Sequence, residues 1–370
     1  MSADWYRLAN EADVVSPSLL FYPDRIRENI RRMITMAGGA ARLRPHMKTH
    51  KTPEVIRLQL DQGIRKFKSA TIAEAEMTAA AGAEEVLLAY PPVGPNVARF
   101  VKLLQTFPKT RFATVADNEP MLRALSQAAT AARLTFEILI DIDCGMHRTG
   151  IGPGPHVAEL YHLLASLPGL KAGGLHAYDG HIHHHELAER EQAVEAAYAP
   201  VDALHAELKK SSLPVPRYVL SGTPSFPVHA RRRTDTEVSP GTCVLWDAGY
   251  GSKVPDLDFL HAALVLTRVI SKPEGNRLCL DLGHKAIAAE NPHPRVIFLN
   301  LPEAKAVMHS EEHLVVETPR AAEFNVGDVL YGVPWHICPT VALHSFAVVV
   351  RNGRAEERWR VIGRERVITI

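Results

Sequence analysis

Through its first two thirds the chain alternates short apolar runs with longer amphipathic ones. The runs at 18–21, 43–48, 66–69, 85–89, 111–115, 136–142, 173–178 and 217–221 have the length and apolar content of strands. Between them lie helical patterns, such as 72–81 and the long 186–210. Eight strands separated by helices predict a (β/α)8 TIM-type barrel, an α/β fold, over residues 15–250. After about Tyr250 the rhythm changes. Runs at 262–270, 277–282, 295–299, 313–317, 328–331 and 345–351 are short, rich in Val, Leu and Ile, and punctuated by Gly and Pro. No long helical pattern intervenes, so 251–370 reads as a mostly antiparallel β domain.

Composition narrows the class. At 370 residues the chain is too long for one typical core, in keeping with two domains. Apolar residues make up 46% and charged residues 22%, as in ordinary globular proteins. A net charge of +1 gives no broad field to draw in nucleic acid or an anionic membrane. Arg231-Arg232-Arg233 is too brief to change that and reads as a solvated loop. No apolar run approaches the roughly 20 residues of a spanning helix, and the first residues lack a basic-then-apolar signal pattern. Cys144, Cys243, Cys279 and Cys338 are sparse and unclustered, which argues against a disulfide framework and for a reducing cytoplasm.

Five segments carry candidate chemistry. Residues 44–51 read Arg-Pro-His-Met-Lys-Thr-His-Lys. Lys48 ends a short strand-like run, and a helical stretch starts near Thr52. In a β/α-barrel, chemistry gathers at the C-terminal ends of strands. A lysine there can condense with an aldehyde cofactor, although the same residues also suit a solvated basic loop. Asp141-Ile142-Asp143-Cys144-Gly145-Met146-His147-Arg148-Thr149-Gly150 follows another strand. Gly145 permits a tight turn that sends Arg148 back over the strand end; the alternative is a surface turn with Arg148 paired to Asp141 or Asp143. Residues 174–181 end a third strand with Tyr178 and His181. His181, nearest the strand end, is an acid/base candidate. The tract His183-His184-His185 can signal metal, but a solvent-facing helix start suits it better. Ser221-Gly222-Thr223 and Gly241-Thr242 can bring backbone N–H groups against a phosphate, or can be ordinary turns. Pro334-Trp335-His336-Ile337-Cys338-Pro339-Thr340 is the fifth. In an extended segment, residues two apart face one side, so His336 and Cys338 could offer an imidazole and a thiolate to one ion, or could be two core side chains.

Pro-His-x-Lys-Thr-His-Lys resembles the cofactor-lysine motif of the D-threonine aldolase and D-serine dehydratase group. These are fold-type III pyridoxal 5′-phosphate (PLP) enzymes, relatives of alanine racemase. The resemblance runs from Pro17-Ser18-Leu19-Leu20 to the 334–340 segment. It implies that Lys48 carries PLP and that Lys51 is a helix-start or surface residue. Asp-x-Gly-x-x-Arg-x-Gly is similar to the element whose arginine, here Arg148, bonds the cofactor's phenolic oxygen and keeps it ionised. Tyr178 matches the aromatic ring that stacks on the pyridine. Ser221, Gly222, Thr223, Gly241 and Thr242 match the phosphate segments, with Tyr250 a further contact. Ser239 falls where alanine racemase places an arginine against the pyridine nitrogen.

The same resemblance implies a divalent metal beside the cofactor at His336 and Cys338. D-serine dehydratases carry His-x-Cys there and D-threonine aldolases His-x-Asp. The cysteine favours a thiophilic ion such as Zn²⁺ over Mn²⁺ or Mg²⁺. Two protein ligands leave positions for water or substrate. Residues 1–14 are implied to join the β domain, and the assembly to be a homodimer. Asp281-Leu282-Gly283-His284-Lys285 and Glu311-Glu312-His313 read as β-domain turns without chemistry.

The expected activity is a PLP- and divalent-metal-dependent lyase for small D-β-hydroxy-α-amino acids, of the D-threonine aldolase type, yielding glycine and acetaldehyde. The alternative is a dehydratase of D-serine or D-threo-3-hydroxyaspartate that releases ammonia. A non-catalytic PLP-binding protein and a cofactor-free metal hydrolase rank lower. The metal pair and the second domain argue against the non-catalytic protein.

Overall fold

A computed structural model describes residues 4–211 and 213–370. The chain builds two compact units from interleaved stretches. One takes the chain up to Ile30, then Thr49–Thr52 and Thr242–Arg364; the other takes Arg31–Lys48, Pro53–Gly241 and Glu365–Ile370.

Strand β1 (Ser18–Phe21) belongs to the first of these units. The second unit is the barrel. Its strands β2 (Lys66–Ser69), β3 (Glu85–Leu88), β4 (Arg111–Ala116), β5 (Phe136–Ile142), β6 (Leu170–Ala177), β7 (Tyr218–Leu220) and β8 (Glu237–Val238) pair in parallel, in chain order. Residues 43–47 occupy the gap between β8 and β2. Leu43 bridges Val238 and His46 bridges Lys68. The N–H groups of Arg44 and Met47 donate to Val238 O and Lys68 O at 2.9 and 2.8 Å, and Lys68 N donates to Pro45 O at 2.8 Å. Pro45 has no N–H to give a ladder, so this position is held by bridges instead of a regular strand.

Three strand expectations are thereby corrected. Residues 18–21 are not the first barrel strand; β1 lies between β9 and β15 in the other sheet. Residues 43–48 do hold a barrel position, but without forming a strand. The last barrel strand is β8, so Ser221-Gly222-Thr223 follows the penultimate strand.

Inside the barrel, Leu87, Val115, Leu139 and Val219 pack together with Ala113. Each fully buried Leu or Val there contributes about 1.5–3 kcal/mol. Gly174 (φ +113°) lets β6 approach the chain entering β7, since a Cβ would lie 1.9 Å from Arg217 O. Helices outside the barrel carry side-chain N-caps where the sequence supplies them: Thr71 accepts from Glu74 N and Asn118 from Met121 N. Arg231–Arg233 is not a solvated loop. It ends the helix Phe226–Arg232, and Arg232 pairs with Glu195 and Asp202 while Arg233 pairs with Asp202 and Asp235.

A belt of charge closes the barrel at the N-terminal ends of its strands. Buried Arg44 reaches Glu85 at 2.9 Å and Glu237 at 2.6 Å, and Lys66 meets Glu237 at 2.6 Å. Arg217 joins Glu85 to Glu137, and Arg111 also pairs with Glu85.

In the first unit, β9 (Ala263–Ser271), β10 (Arg277–Leu280), β11 (Val296–Phe298), β12 (Lys305–His309), β13 (Leu314–Glu317), β14 (Val329–Pro334), β15 (Phe346–Arg351) and β16 (Arg354–Arg360) join β1 in one sheet. All pairings are antiparallel except β1 with β15. Tyr6, Leu8 and Val14 pack into its core with Leu20, Leu264 and Tyr331. Asp281 accepts from Ser16 Oγ, Thr267 Oγ1 and Arg268 N, and Gly283 closes on Glu311, so these segments are structural turns.

Replacing Arg44 by Met removes a buried partner from both Glu85 and Glu237, leaving Arg111 and Arg217 to the one and Lys66 to the other. Denaturant titration near neutral pH is expected to show a loss of about 3 kcal/mol. Burial alone would raise the pKa of Glu237, but Arg44 and Lys66 hold it below the ordinary 4.5. The pairing therefore stabilises above that value and fades as pH falls through the lower folded one, so wild type and variant should converge in acid.

Candidate active site

At the opposite ends of the strands the barrel opens into a cavity lined by His46, Lys48, Lys68, Arg148, His176 and Tyr178, among others. The backbone places Lys48 there. Met47 is tied to β2, and the Lys48 N–H donates back to His46 Nδ1 at 3.2 Å, closing a turn. Its ammonium lies 5.2 Å from the centroid of the Tyr178 ring. Lys51 sits in the other unit, where its backbone O and its Nζ both meet Gly363.

Tyr178 leaves the end of β6 with its ring wedged against two glycines. A Cβ on Gly180 would lie 2.5 Å from the ring and one on Gly222 3.2 Å away. Arg148 stands over the same ring, its Cζ 5.2 Å from the centroid. The carboxylates near it in sequence are already engaged. Asp143 accepts from Gly145 N and His147 N and pairs with His147 Nδ1, while Asp141 bonds His176 at 2.7 Å. Gly145 (φ +118°) supplies the turn expected of it.

Lys68 and His176 line this cavity and were not among the expected site residues. Lys68, on β2, is 1% exposed, and its Nζ lies 5.7 Å from the Tyr178 centroid. His176 is also buried. Burial lowers its pKa despite Asp141, so it is neutral near pH 7. Asp141 can only accept, which puts the proton on Nδ1 and leaves Nε2 a bare, unpartnered acceptor. His181 packs its ring on Gly145 and does not line the cavity.

Beneath the ring, buried Asp179 accepts from Gly222 N at 2.7 Å, Ser225 Oγ at 2.8 Å and His229 Nε2 at 2.9 Å. Burial opposes its charge, but these donors hold its pKa below the ordinary value. They also fix the loop after β7, where Ser221 adopts φ +79°. Ser221 Oγ accepts from Ser239 N, and Thr223 Oγ1 from Gly241 N. The N–H groups of Gly222 and Gly241 are thus spoken for. The Ser239 hydroxyl is buried without a partner.

The remaining candidates lie in the other unit. His336 and Cys338 do not form an extended pair: His336 is the N-cap of the helix Ile337–Leu343 and Cys338 lies in its first turn. The turn still brings the side chains together. Burial lowers the pKa of His336, but the hydrogen bond to Cys338, its charge, Glu290 and Asp247 carry it up to about 9. Glu290 Oε1 lies 2.5 Å from His336 Nδ1. Cys338 touches Thr49 Oγ1 at 3.3 Å and Thr242 Oγ1 at 3.6 Å. Asp247 joins this helix to Tyr250, accepting from Ile337 N and Tyr250 N. Burial pushes its pKa up to about 6. Among the described residues no cluster of three or more His, Cys, Asp or Glu is arranged to hold a metal. No described helix is long and apolar enough to cross a membrane.

Residues 22–248 match the model of the alanine racemase N-terminal domain. The chain belongs to that family. Residues 262–350 of this alanine racemase-like chain match a serine dehydratase domain. A D-threonine aldolase from Arthrobacter sp is 32% identical over 95% of this chain and 93% of its own. A 3-hydroxy-D-aspartate aldolase from Paracoccus denitrificans (strain Pd 1222) is 30% identical over 96% and 93%. The crystal structure of D-threonine aldolase from Filomicrobium marinum superposes with a TM-score of 0.89 at 28% identity, covering 95% of this chain and 96% of that one. The relatives are lyases, and PLP is the cofactor expected of the fold. The barrel cavity fits it: Lys48, Lys68 and Arg148 offer positive charge around one aromatic face, and Ser239 holds an unsatisfied hydroxyl.

The wedge around Tyr178 generates a prediction. Gly180→Ala should displace the ring and weaken PLP binding about tenfold or more, a change of ~1.4 kcal/mol. Gly152→Ala, whose added Cβ meets nothing within 4 Å, is the control and should bind as wild type. Equilibrium dialysis compares the two.

Proposed function

We propose that this chain is a PLP-dependent lyase of D-β-hydroxy-α-amino acids that cleaves D-threonine to glycine and acetaldehyde. The observation that carries the reading is the Lys48 amine facing Tyr178 and Arg148 in a cationic barrel cavity, in a chain that matches a D-threonine aldolase over nearly its whole length. Lys48 would bind the cofactor, Arg148 would meet its phenolic oxygen, and Tyr178 would support its ring. Ser221, Gly222, Thr223 and Gly241 would surround its phosphate, and the resemblance adds Thr242 and Tyr250. PLP supplies an electron sink for bond breaking at Cα. The free Nε2 of His176 is placed to hold a proton inside the cavity, and His181 is the second candidate for that task.

His336 and Cys338 hold a divalent ion in this reading. Their side chains touch, and Glu290 on Nδ1 leaves Nε2 as the coordinating atom. An ion held by this pair would supply Lewis acidity for the substrate hydroxyl. A second reading, a dehydratase of D-serine or 3-hydroxy-D-aspartate, draws support from Cys338 and from the serine dehydratase domain match.

Product analysis separates the two. D-threonine or D-allo-threonine should give glycine and acetaldehyde, L-threonine should not react, and a chelator should stop turnover. Formation of 2-oxobutyrate and ammonia would install the dehydratase reading.

Borohydride reduction of the PLP-loaded protein, followed by peptide mapping, is expected to mark Lys48. A mark on Lys51 or Lys68 would refute the assignment of the cofactor lysine.

A further inference from the structure

Asp179 directly follows Tyr178, is 1% exposed, and among the described residues pairs with no lysine or arginine. Its partners converge instead from the loop after β7 and the helix that follows it. Gly222 N at 2.7 Å and Ser225 Oγ at 2.8 Å reach Oδ1, and His229 Nε2 at 2.9 Å reaches Oδ2. The loop they hold contains Ser221 at φ +79°, a backbone conformation that a residue with a Cβ rarely adopts. We propose that Asp179 is a positioning residue for phosphate recognition: its carboxylate locks the 221–225 loop in the shape that makes the site prefer a phosphorylated cofactor to its dephosphorylated form.

Charge alone gives no reason for a carboxylate here. A buried anion bonded to Gly222 repels a phosphate at the same loop. What the residue supplies is geometry, because both of its oxygens accept and its donors come from two sides. Asparagine has one acceptor oxygen, and its NH2 group cannot accept from His229 Nε2. The imidazole would then have to carry its proton on Nδ1, an atom that is buried and has no partner. Turning the amide round sets its NH2 against the Gly222 N–H instead. Either way one of the three contacts goes. The contact to Gly222 falls on the residue next to the strained Ser221. Ser221 Oγ accepts from Ser239 N and Thr223 Oγ1 from Gly241 N, each at 3.1 Å, so this loop is cross-linked to the chain after β8. Both segments assigned to the phosphate are thereby tied, directly or at one remove, to Asp179. Released from it, Ser221 would relax toward an ordinary conformation and the cross-links would lose their register.

The inference rests on the PLP reading of the site, and the test keeps the two apart. Equilibrium dialysis of the full-length protein measures its affinity for PLP and for pyridoxal, which has the same ring and aldehyde without the phosphate. Wild type should favour PLP. Asp179→Ala, which removes every acceptor, should cut the ratio of the two affinities about tenfold or more. Asp179→Asn, which keeps one acceptor oxygen, should cut it about threefold, and it decides the matter if the alanine variant does not fold. An unchanged ratio, whether the two affinities fall together or stay as they were, overturns the inference and leaves the PLP reading intact. A rise in the ratio also overturns it, since repulsion between carboxylate and phosphate would then be the larger effect. A wild type that binds pyridoxal as tightly as PLP refutes the phosphate assignment and this inference with it. A wild type that binds neither brings down the PLP reading itself.

Discussion

Four backbone hydrogen bonds seat residues 43–47 between β8 and β2, and the candidate site depends on that closure. Lys48 is the next residue, so the bonds that close the barrel also fix where its side chain begins. Were the segment free, as its single proline and lack of a regular strand would allow, the amine would sweep over several ångströms. With Met47 bonded to β2 and the Lys48 N–H to His46, the side chain has chiefly its own rotamers to explore. The ordering entropy of the site is thus met largely by folding of the barrel.

The barrel's two ends divide the charge between them. At the N-terminal ends Lys66, Arg44 and Arg217 each have a carboxylate, in a chain of contacts from Lys66 through Glu237, Arg44, Glu85 and Arg217 to Glu137. At the other end the carboxylates are tied to histidines and to loop N–H groups, while Lys48, Lys68 and Arg148 are left facing the cavity. One end spends its charge on stability and the other withholds it for a ligand. The apolar layer of Leu87, Val115, Leu139 and Val219 keeps water from joining them.

Much of this was legible in the sequence, and the gaps have identifiable causes. The alternation of apolar runs and amphipathic stretches conveyed a barrel followed by a β domain, because strand and helix periods differ. It could not say which sheet a run joins: Ser-Leu-Leu-Phe at 18–21 has the same local character as a barrel strand, and only pairing with β9 and β15 decides. Glu237–Val238 is too short to stand out. Lys48 and Arg148 were singled out at strand ends and Tyr178 by the family resemblance, and all three line one cavity. Lys68 was not, since Lys-Phe-Lys-Ser reads as an edge of mixed polarity until the barrel closes around it. Glu290 lies 46 residues from His336 in sequence, and no local pattern joins them. The His-x-Cys spacing was read as extended, whereas a helix begins at that point and presents the pair from a cap and a first turn.

β1 carries a further consequence, for synthesis of the chain. It leaves the ribosome well before its partners, since β9 begins at Ala263 and β15 at Phe346. Until those are made, Leu19, Leu20 and Phe21 have both strand edges unpaired, although each is fully buried in the folded protein. An apolar strand kept waiting in that way is a template for intermolecular pairing. The nascent protein therefore has its weakest moment before the C-terminal sheet exists, and its yield in the cell should respond more to chaperone supply and elongation speed than to the stability of the finished fold.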